Sequence, residues 1–216
     1  MDDINDEFEI TFVTNRRMKI PRILGIYTLE KKIIEVRNCV VLATTNPENG
    51  QKLAVKCIPF RTFQNNTKEI DVMQLVNHPH LISVENSFYF PEHNPRFFSI
   101  VMPRATSDLL DYINYHHYLP EEIVYRIMKD SLEAVDALHE SKIWHRDLKL
   151  DNIFVVKEER SGPFVAVADL GLADVFDQNT ISTPGVGTVQ YAAPELLQIT
   201  GNQLAFKPLA QCMYKF

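Results

Sequence analysis

From Pro120 to about His139 the chain reads as one long amphipathic helix, and such a helix owes its stability to whatever covers its apolar side. Pro120 suits the first turn, where its missing N–H is no loss, and Glu121 and Glu122 complement the positive end of the helix dipole. Ile123, Val124, Ile127, Met128, Leu132, Val135 and Leu138 fall on one broad apolar face. Any fold for this sequence must supply a partner surface for that face.

Strand patterns lie mostly ahead of it. "CVVLAT" (39–44) and "KLAVKCI" (52–58) are rich in β-formers and joined by "TNPENGQ", whose Pro, Asn and Gly mark a turn. "HLISVENSFYF" (80–90) and "RFFSIVM" (96–102) read as two more strands. Between these pairs, "TKEIDVMQLV" (67–76) places Ile70, Met73 and Val76 at helical spacing before the His78-Pro79 break. "SDLLDYI" (107–113) is a short helix with Ser107 as a cap. After the long helix, "IFVV" (153–156) and "FVAVA" (164–168) flank the turn "KEERSGP". Strands first and helices later predict an α+β protein with a small sheet lobe and a mainly helical lobe. The reading divides the chain into a flexible, solvated extension (1–28), a sheet lobe (29–103) and a helical lobe (104–216).

Within this frame, "IWHRDLKLDNIF" (143–154) sets polar reacting groups between apolar flanks, where they are costly unless paired or used. "HRDLKLDN" resembles the catalytic loop of eukaryotic protein kinases, H-R-D-x-x-x-x-N. Further motifs stand in family order: "LAVK" ending at Lys56, Asp169-Leu170-Gly171 in place of Asp-Phe-Gly, and Ala193-Pro194-Glu195. The sequence is therefore identified as resembling that family, with the two-lobed kinase fold as the expectation. "DLK" and "GTVQYAAPE" (187–195) are similar to the serine/threonine type.

The resemblance implies a role for each matching residue. Asp147 takes the proton of the acceptor hydroxyl, Lys149 steadies the transferring phosphoryl charge, and Asn152 and Asp169 are oxygen ligands for Mg²⁺. Lys56 reaches the nucleotide phosphates and Glu69 holds it in place. Val41 and Ala54 sandwich adenine, Met102 stands at the gatekeeper position, Ala105 supplies the hinge donor, and Asp108 meets the ribose. Met73, His145 and Leu170 are internal packing, and Thr188 lies near Asp147. Arg146 reads a phosphate on Thr180, Ser182 or Thr183. ATP and Mg²⁺ are the implied cofactors, and a protein Ser/Thr hydroxyl is the implied substrate, with a regulatory partner possible.

The pattern is broken in two places. At the three glycine positions of the phosphate-covering loop stand Ile34, Val36 and Cys39, so side chains replace the bare Cα atoms that let amides approach phosphate. Beyond Glu195 only residues 196–216 follow, without the Asp-x-Trp-x-x-Gly signature, so the helical lobe is expected to be incomplete. These breaks support a second reading, a pseudokinase or truncated fragment acting as a binding module. A net charge of −6 argues against nucleic acid or a basic membrane-surface role. Three scattered cysteines without metal spacing and an acidic start with no apolar core point to the cytoplasm, or the nucleus. No run is long enough to span a membrane.

Overall fold

A computed structural model describes residues 7–11, 17–36, 39–59, 68–90, 96–175, 186–192, 197–200 and 203–206. The fold is α+β and the chain divides into two compact units, Met1–Ile70 with Ile82–Ala105 and Asp71–Leu81 with Thr106–Phe216.

The first unit contains strands β1 (Glu7–Thr11), β2 (Arg17–Pro21), β3 (Ile23–Leu24), β4 (Tyr27–Val36), β5 (Cys39–Thr45) and β6 (Lys52–Pro59). Helix α1 (Lys68–Leu75) begins in this unit, and β7 (Asn86–Phe90) and β8 (Phe97–Pro103) complete its strands. Six of them form a sheet in the order β3-β4-β5-β6-β8-β7. The register sorts side chains by face, because successive residues alternate. Val40 opposes Cys57, Leu42 opposes Val55, and Val55 opposes Val101 on one side. These residues, with Phe97 and Leu53, are fully buried in one apolar cluster. On the other side Val41 opposes Lys56, and Ala54 opposes both Ala43 and Met102. The β5–β6 turn closes with hydrogen bonds between Asn46 and Gln51 and from Gly50 to Asn46, both 2.9 Å.

Residues 7–11 and 17–21 do not form a solvated extension. β1 and β2 pair antiparallel, and Met18 and Ile20 are fully buried in the same cluster while Arg17 and Lys19 face solvent. The alternation Arg17-Met18-Lys19-Ile20 is a half-buried strand pattern hidden among charges. Gly25 then makes the tight β3–β4 turn at φ +59°, where a Cβ atom would lie 2.8 Å from the Phe88 ring. Ile20→Ala is expected to destabilise the chain by about 2–5 kcal/mol, read as a lowered urea midpoint with unchanged slope. A loss near zero would return residues 17–21 to solvent.

The second unit holds β9 (Ser107–Asp108), α2 (Leu109–His116), α3 (Glu121–Glu140), β10 (Ile143–Trp144), β11 (Ile153–Glu159), β12 (Gly162–Val167), β13 (Asp174–Val175), β14 (Leu197–Thr200) and β15 (Gln203–Phe206). Its small sheet runs β12-β11-β9, and its core joins Leu109, Ile127, Val155 and Val165. α3 follows Pro120 as expected, yet its apolar face is divided. Ile127, Ala134 and Leu138 are buried, whereas Val124, Met128 and Leu132 are 41–62% exposed. Ser107 is not the cap of α2. The Asp108 carboxylate accepts the Asp111 N–H at 2.8 Å, the stronger capping choice once the helix starts at Leu109.

The strand expected over 80–90 is shorter, beginning only at Asn86. Leu81 instead makes a lone parallel bridge to Val167. Neither Cys39 nor Cys57 is in a disulfide, and burial pushes the Cys57 thiol up to about 12, so it stays protonated. Among the described residues no helix is long and apolar enough to cross a membrane.

Candidate active site

The catalytic-loop segment is placed by two short contacts. β10 pairs with β13, Trp144 opposite Asp174, which fixes its entry. A 3₁₀ turn at Leu150–Asn152 then leads into β11. Between them lies Asp147, 8% exposed and surrounded by donors. Thr188 Oγ1 donates to its Oδ1 at 2.7 Å, Lys149 Nζ lies 2.9 Å from its Oδ2, and Asn152 Nδ2 donates to Oδ2 at 3.1 Å. Lys149 also donates to Thr188 Oγ1 at 3.1 Å, closing a ring of three polar groups.

That arrangement decides the charge of Asp147. Burial pushes its carboxyl up, but the hydrogen bonds from Thr188, Lys149 and Asn152 together outweigh burial and hold it below its ordinary value. Lys149 is pushed up chiefly by its bond to Asp147, with burial opposing. The pair is ionised at neutral pH. A carboxylate offers about four lone-pair positions; three donors use three of them, leaving room for one incoming hydroxyl. Gly187 makes the close approach of Thr188 possible. It adopts φ +106°, and a Cβ there would collide with the Arg146 carbonyl oxygen. A cavity of about 170 Å³ opens beside Asp147, lined by Leu148, Gly187, Thr188 and Tyr191 among others.

Thr188→Val is expected to shift the acid limb of the pH–rate profile upward. With ionised Asp147 as the proton acceptor that the resemblance implies, activity falls as pH drops through its pKa. Removing one donor to the charged form raises that pKa. An acid limb that stays in place would show that Thr188 does not tune Asp147.

Asn152 is buried, and its Nδ2 also donates to the Asp147 carbonyl at 2.7 Å. With the amide nitrogen so engaged, Oδ1 is the side-chain atom left to serve as an oxygen ligand. The Asn152 carbonyl accepts the Ala168 N–H at 2.9 Å, which sets the strand end just before Asp169. Asp169 is exposed and sits at φ 60°, ψ 62°, a left-handed conformation that Asp tolerates better than most residues. His145 braces the same point. Its Nε2 lies 2.9 Å from the Ala168 carbonyl and its Nδ1 accepts the Asp147 N–H at 3.3 Å. The carbonyl can only accept, so Nε2 carries the proton and the ring is neutral. Burial, opposed by the Ala168 bond and nearby carboxylates, lowers its pKa and keeps it so. Leu170 and Met73 are buried, as packing residues should be.

Arg146 has two partners among the described residues. Its Nε donates to the Leu172 carbonyl at 2.6 Å and its Nη1 lies 3.2 Å from Asp174 Oδ2. Asp174 was not singled out in the sequence, although "DLGLAD" places it five residues after Asp169. Thr180, Ser182, Thr183 and the Ala193-Pro194-Glu195 motif lie outside the described residues.

In the first unit Lys56 Nζ lies 2.7 Å from Glu69 Oε1, with side chains 16% and 8% exposed. Lys56 shares its sheet face with Val41, Ala54 and Met102, as the register requires; Ala54 and Met102 are buried, and Val41 is half-buried. Ala105 is half-buried beyond the end of β8. In the second unit the Asp108 carboxylate caps α2, so any ribose contact shares that group. The glycine-free segment pairs antiparallel, with Ile34 opposite Val41 and Val36 opposite Cys39, after register shifts on either side of Lys32.

The residues fit the groups their pattern implies unequally. Asn152 and Asp169 offer the hard oxygen donors that Mg²⁺ prefers. The Ile34–Val41 hairpin offers no glycine for close amide contact with a triphosphate.

The family model described as "Protein kinase domain" matches residues 27–207. The "Probable serine/threonine-protein kinase KIN1 homolog" of Encephalitozoon cuniculi is 29% identical over 187 residues, 81% of this chain and 32% of that protein. "Myosin light chain kinase A" of Dictyostelium discoideum is 31% identical over 182 residues, 82% of this chain and 60% of that protein. The KIN1 homolog of Enterocytozoon bieneusi is 28% identical over 219 residues, 98% of this chain and 36% of that protein. The chain thus spans about one third to three fifths of these relatives.

Proposed function

This chain belongs to the protein kinase family, and from that premise we propose that it transfers the γ-phosphoryl group of ATP to a serine or threonine hydroxyl of a protein. The observation that carries the proposal is the Asp147 carboxylate, held ionised by Lys149, Thr188 and Asn152 with one lone-pair position to spare. When bound, Mg·ATP supplies the phosphoryl group and a cation to neutralise it: the bond from γ-phosphorus to the bridging oxygen breaks, a bond to the acceptor oxygen forms, and ADP leaves.

The chain's own residues then do the positioning. Asp147 accepts the hydroxyl proton. Lys149 lies against both Asp147 and Thr188, where it steadies charge that builds on an oxygen beside them. Asn152 and Asp169 hold the cation through oxygen, and Lys56, oriented by Glu69, neutralises the phosphates. Val41, Ala54, Met102, Ala105 and Asp108 take the base and ribose. We assign residues 29–103, together with strands β1 to β3, to the nucleotide-side lobe and 104–216 to the catalytic lobe, and place the protein in the cytoplasm or nucleus.

One observation favours a different reading, a pseudokinase module that binds but does not turn over. The Ile34–Val41 hairpin carries side chains wherever the family's glycines would stand. Thermal unfolding with and without millimolar Mg·ATP separates the two, because a nucleotide binder is stabilised by mass action. The proposed function requires an upward shift that grows with ligand concentration. No shift would leave the module.

A further inference from the structure

His80, Asp130 and Glu133 set three metal-ligating atoms within 4.8 Å of one another, and none of the three belongs to the catalytic set. Asp130 and Glu133 share a face of α3 at i, i+3 spacing. His80 reaches them from the turn at 78–81. Its Nδ1 lies 2.7 Å from the Val165 carbonyl oxygen. A carbonyl only accepts, so Nδ1 carries the proton, and in the neutral ring Nε2 is a bare lone pair.

That lone pair faces Asp130 Oδ1 at 3.6 Å. Two acceptors therefore point at each other where His80 is 9% and Asp130 7% exposed. The contact is unfavourable unless the ring takes a second proton or a cation lies between. Asp130 Oδ2, moreover, is buried without a hydrogen-bond partner. Arg126 gives this oxygen a long ion pair but no hydrogen bond. Its Nε stands 3.9 Å from Asp130 Oδ2, while its Nη groups are held by Glu159 at 2.7 Å and by Ser161. Lys129 meets Glu133 at 3.6 Å, but both are exposed and the contact is weakly held.

The distances suit a small tetrahedral ion. Ligands about 2.1 Å from such an ion stand roughly 3.4 Å apart, close to the 3.6 Å between His80 and Asp130. Rotation of the exposed Glu133 side chain brings in the third ligand. The Nδ1–H bond to Val165 is also the arrangement that fixes a histidine tautomer for ligation through Nε2.

We propose that His80, Asp130 and Glu133 form a site for a transition-metal dication, zinc foremost, with a fourth position open to water. Imidazole with carboxylates suits Zn²⁺, whereas Mg²⁺ prefers an all-oxygen octahedral set. The ion joins α3 to the segment whose backbone meets Val167, through the His80 carbonyl at 2.8 Å and the Leu81 bridge. Val167 stands two residues before Asp169, so occupancy stiffens the approach to the catalytic cluster.

The test is calorimetric titration of Zn²⁺ into the purified chain, without nucleotide, so its outcome is separate from that of the kinase reading. The wild type is expected to bind one Zn²⁺ per chain and to gain thermal stability from it. Glu133→Gln should weaken binding by at least about tenfold, and His80→Gln should do the same. Glu133→Gln alters only an exposed side chain and leaves every cysteine in place. Its result therefore decides the question even if the buried variant fails to fold. Zinc affinity unchanged in Glu133→Gln, or no stoichiometric binding by the wild type, overturns the site.

Discussion

Replacing Asp147 with Asn is expected to lower phosphate transfer by about 10²–10⁴-fold, the usual worth of a positioned proton acceptor. The substitution keeps the shape of the side chain and one oxygen, so Thr188 retains an acceptor. It removes the charge that Lys149 answers at 2.9 Å and the basic oxygen that takes the proton. Transfer should fall while the unfolding midpoint moves little, and the stabilisation by Mg·ATP should survive. A fall of less than tenfold would mean that Asp147 is not the proton acceptor.

Lys56→Met is expected to cost about 3 kcal/mol of stability. Glu69 is almost fully buried and meets Lys56 at 2.7 Å. Removing the lysine strands a buried carboxylate, which costs more than the intact pair contributes. The figure is set at the lower end because Lys56 keeps some solvent contact. The double variant Lys56→Met, Glu69→Leu should recover most of the loss, since neither charge then remains to be desolvated. Both variants lose the phosphate-neutralising cation, so both should lose transfer. A double variant no more stable than Lys56→Met would show that Glu69 is not an orphaned charge in the single one. Urea unfolding of the wild type, Lys56→Met, Glu69→Leu and the double variant gives the coupling directly.

Much of this was readable in the residues, for reasons that differ by element. The strands at 39–45 and 52–59 declare themselves because one face is core and the other holds Lys56, which enforces alternation. The 121–140 helix is legible from Pro120, its acidic first turn and its period, but its exposed Val124, Met128 and Leu132 are not, since periodicity reports an apolar face and not what covers it. β1 and β2 were missed because acidic and basic residues outnumber their few buried side chains. The Asp147 cluster was legible as a linear motif, and Thr188 with it. The contacts of Arg146 with Asp174 and the Leu172 carbonyl follow from the β10–β13 pairing and from no pattern in sequence. His80 precedes Asp130 and Glu133 by some fifty residues and meets them only through the packing of a turn on α3.

The central claim is that this chain moves phosphate onto serine or threonine through Asp147. The direct measurement is transfer of label from [γ-³²P]ATP with Mg²⁺ to a generic protein substrate, followed by phosphoamino-acid analysis, with Asp147→Asn beside the wild type. Labelled phosphoserine or phosphothreonine from the wild type, absent from the variant, is the result expected. Equal labelling in the two proteins, or none in either, would contradict it.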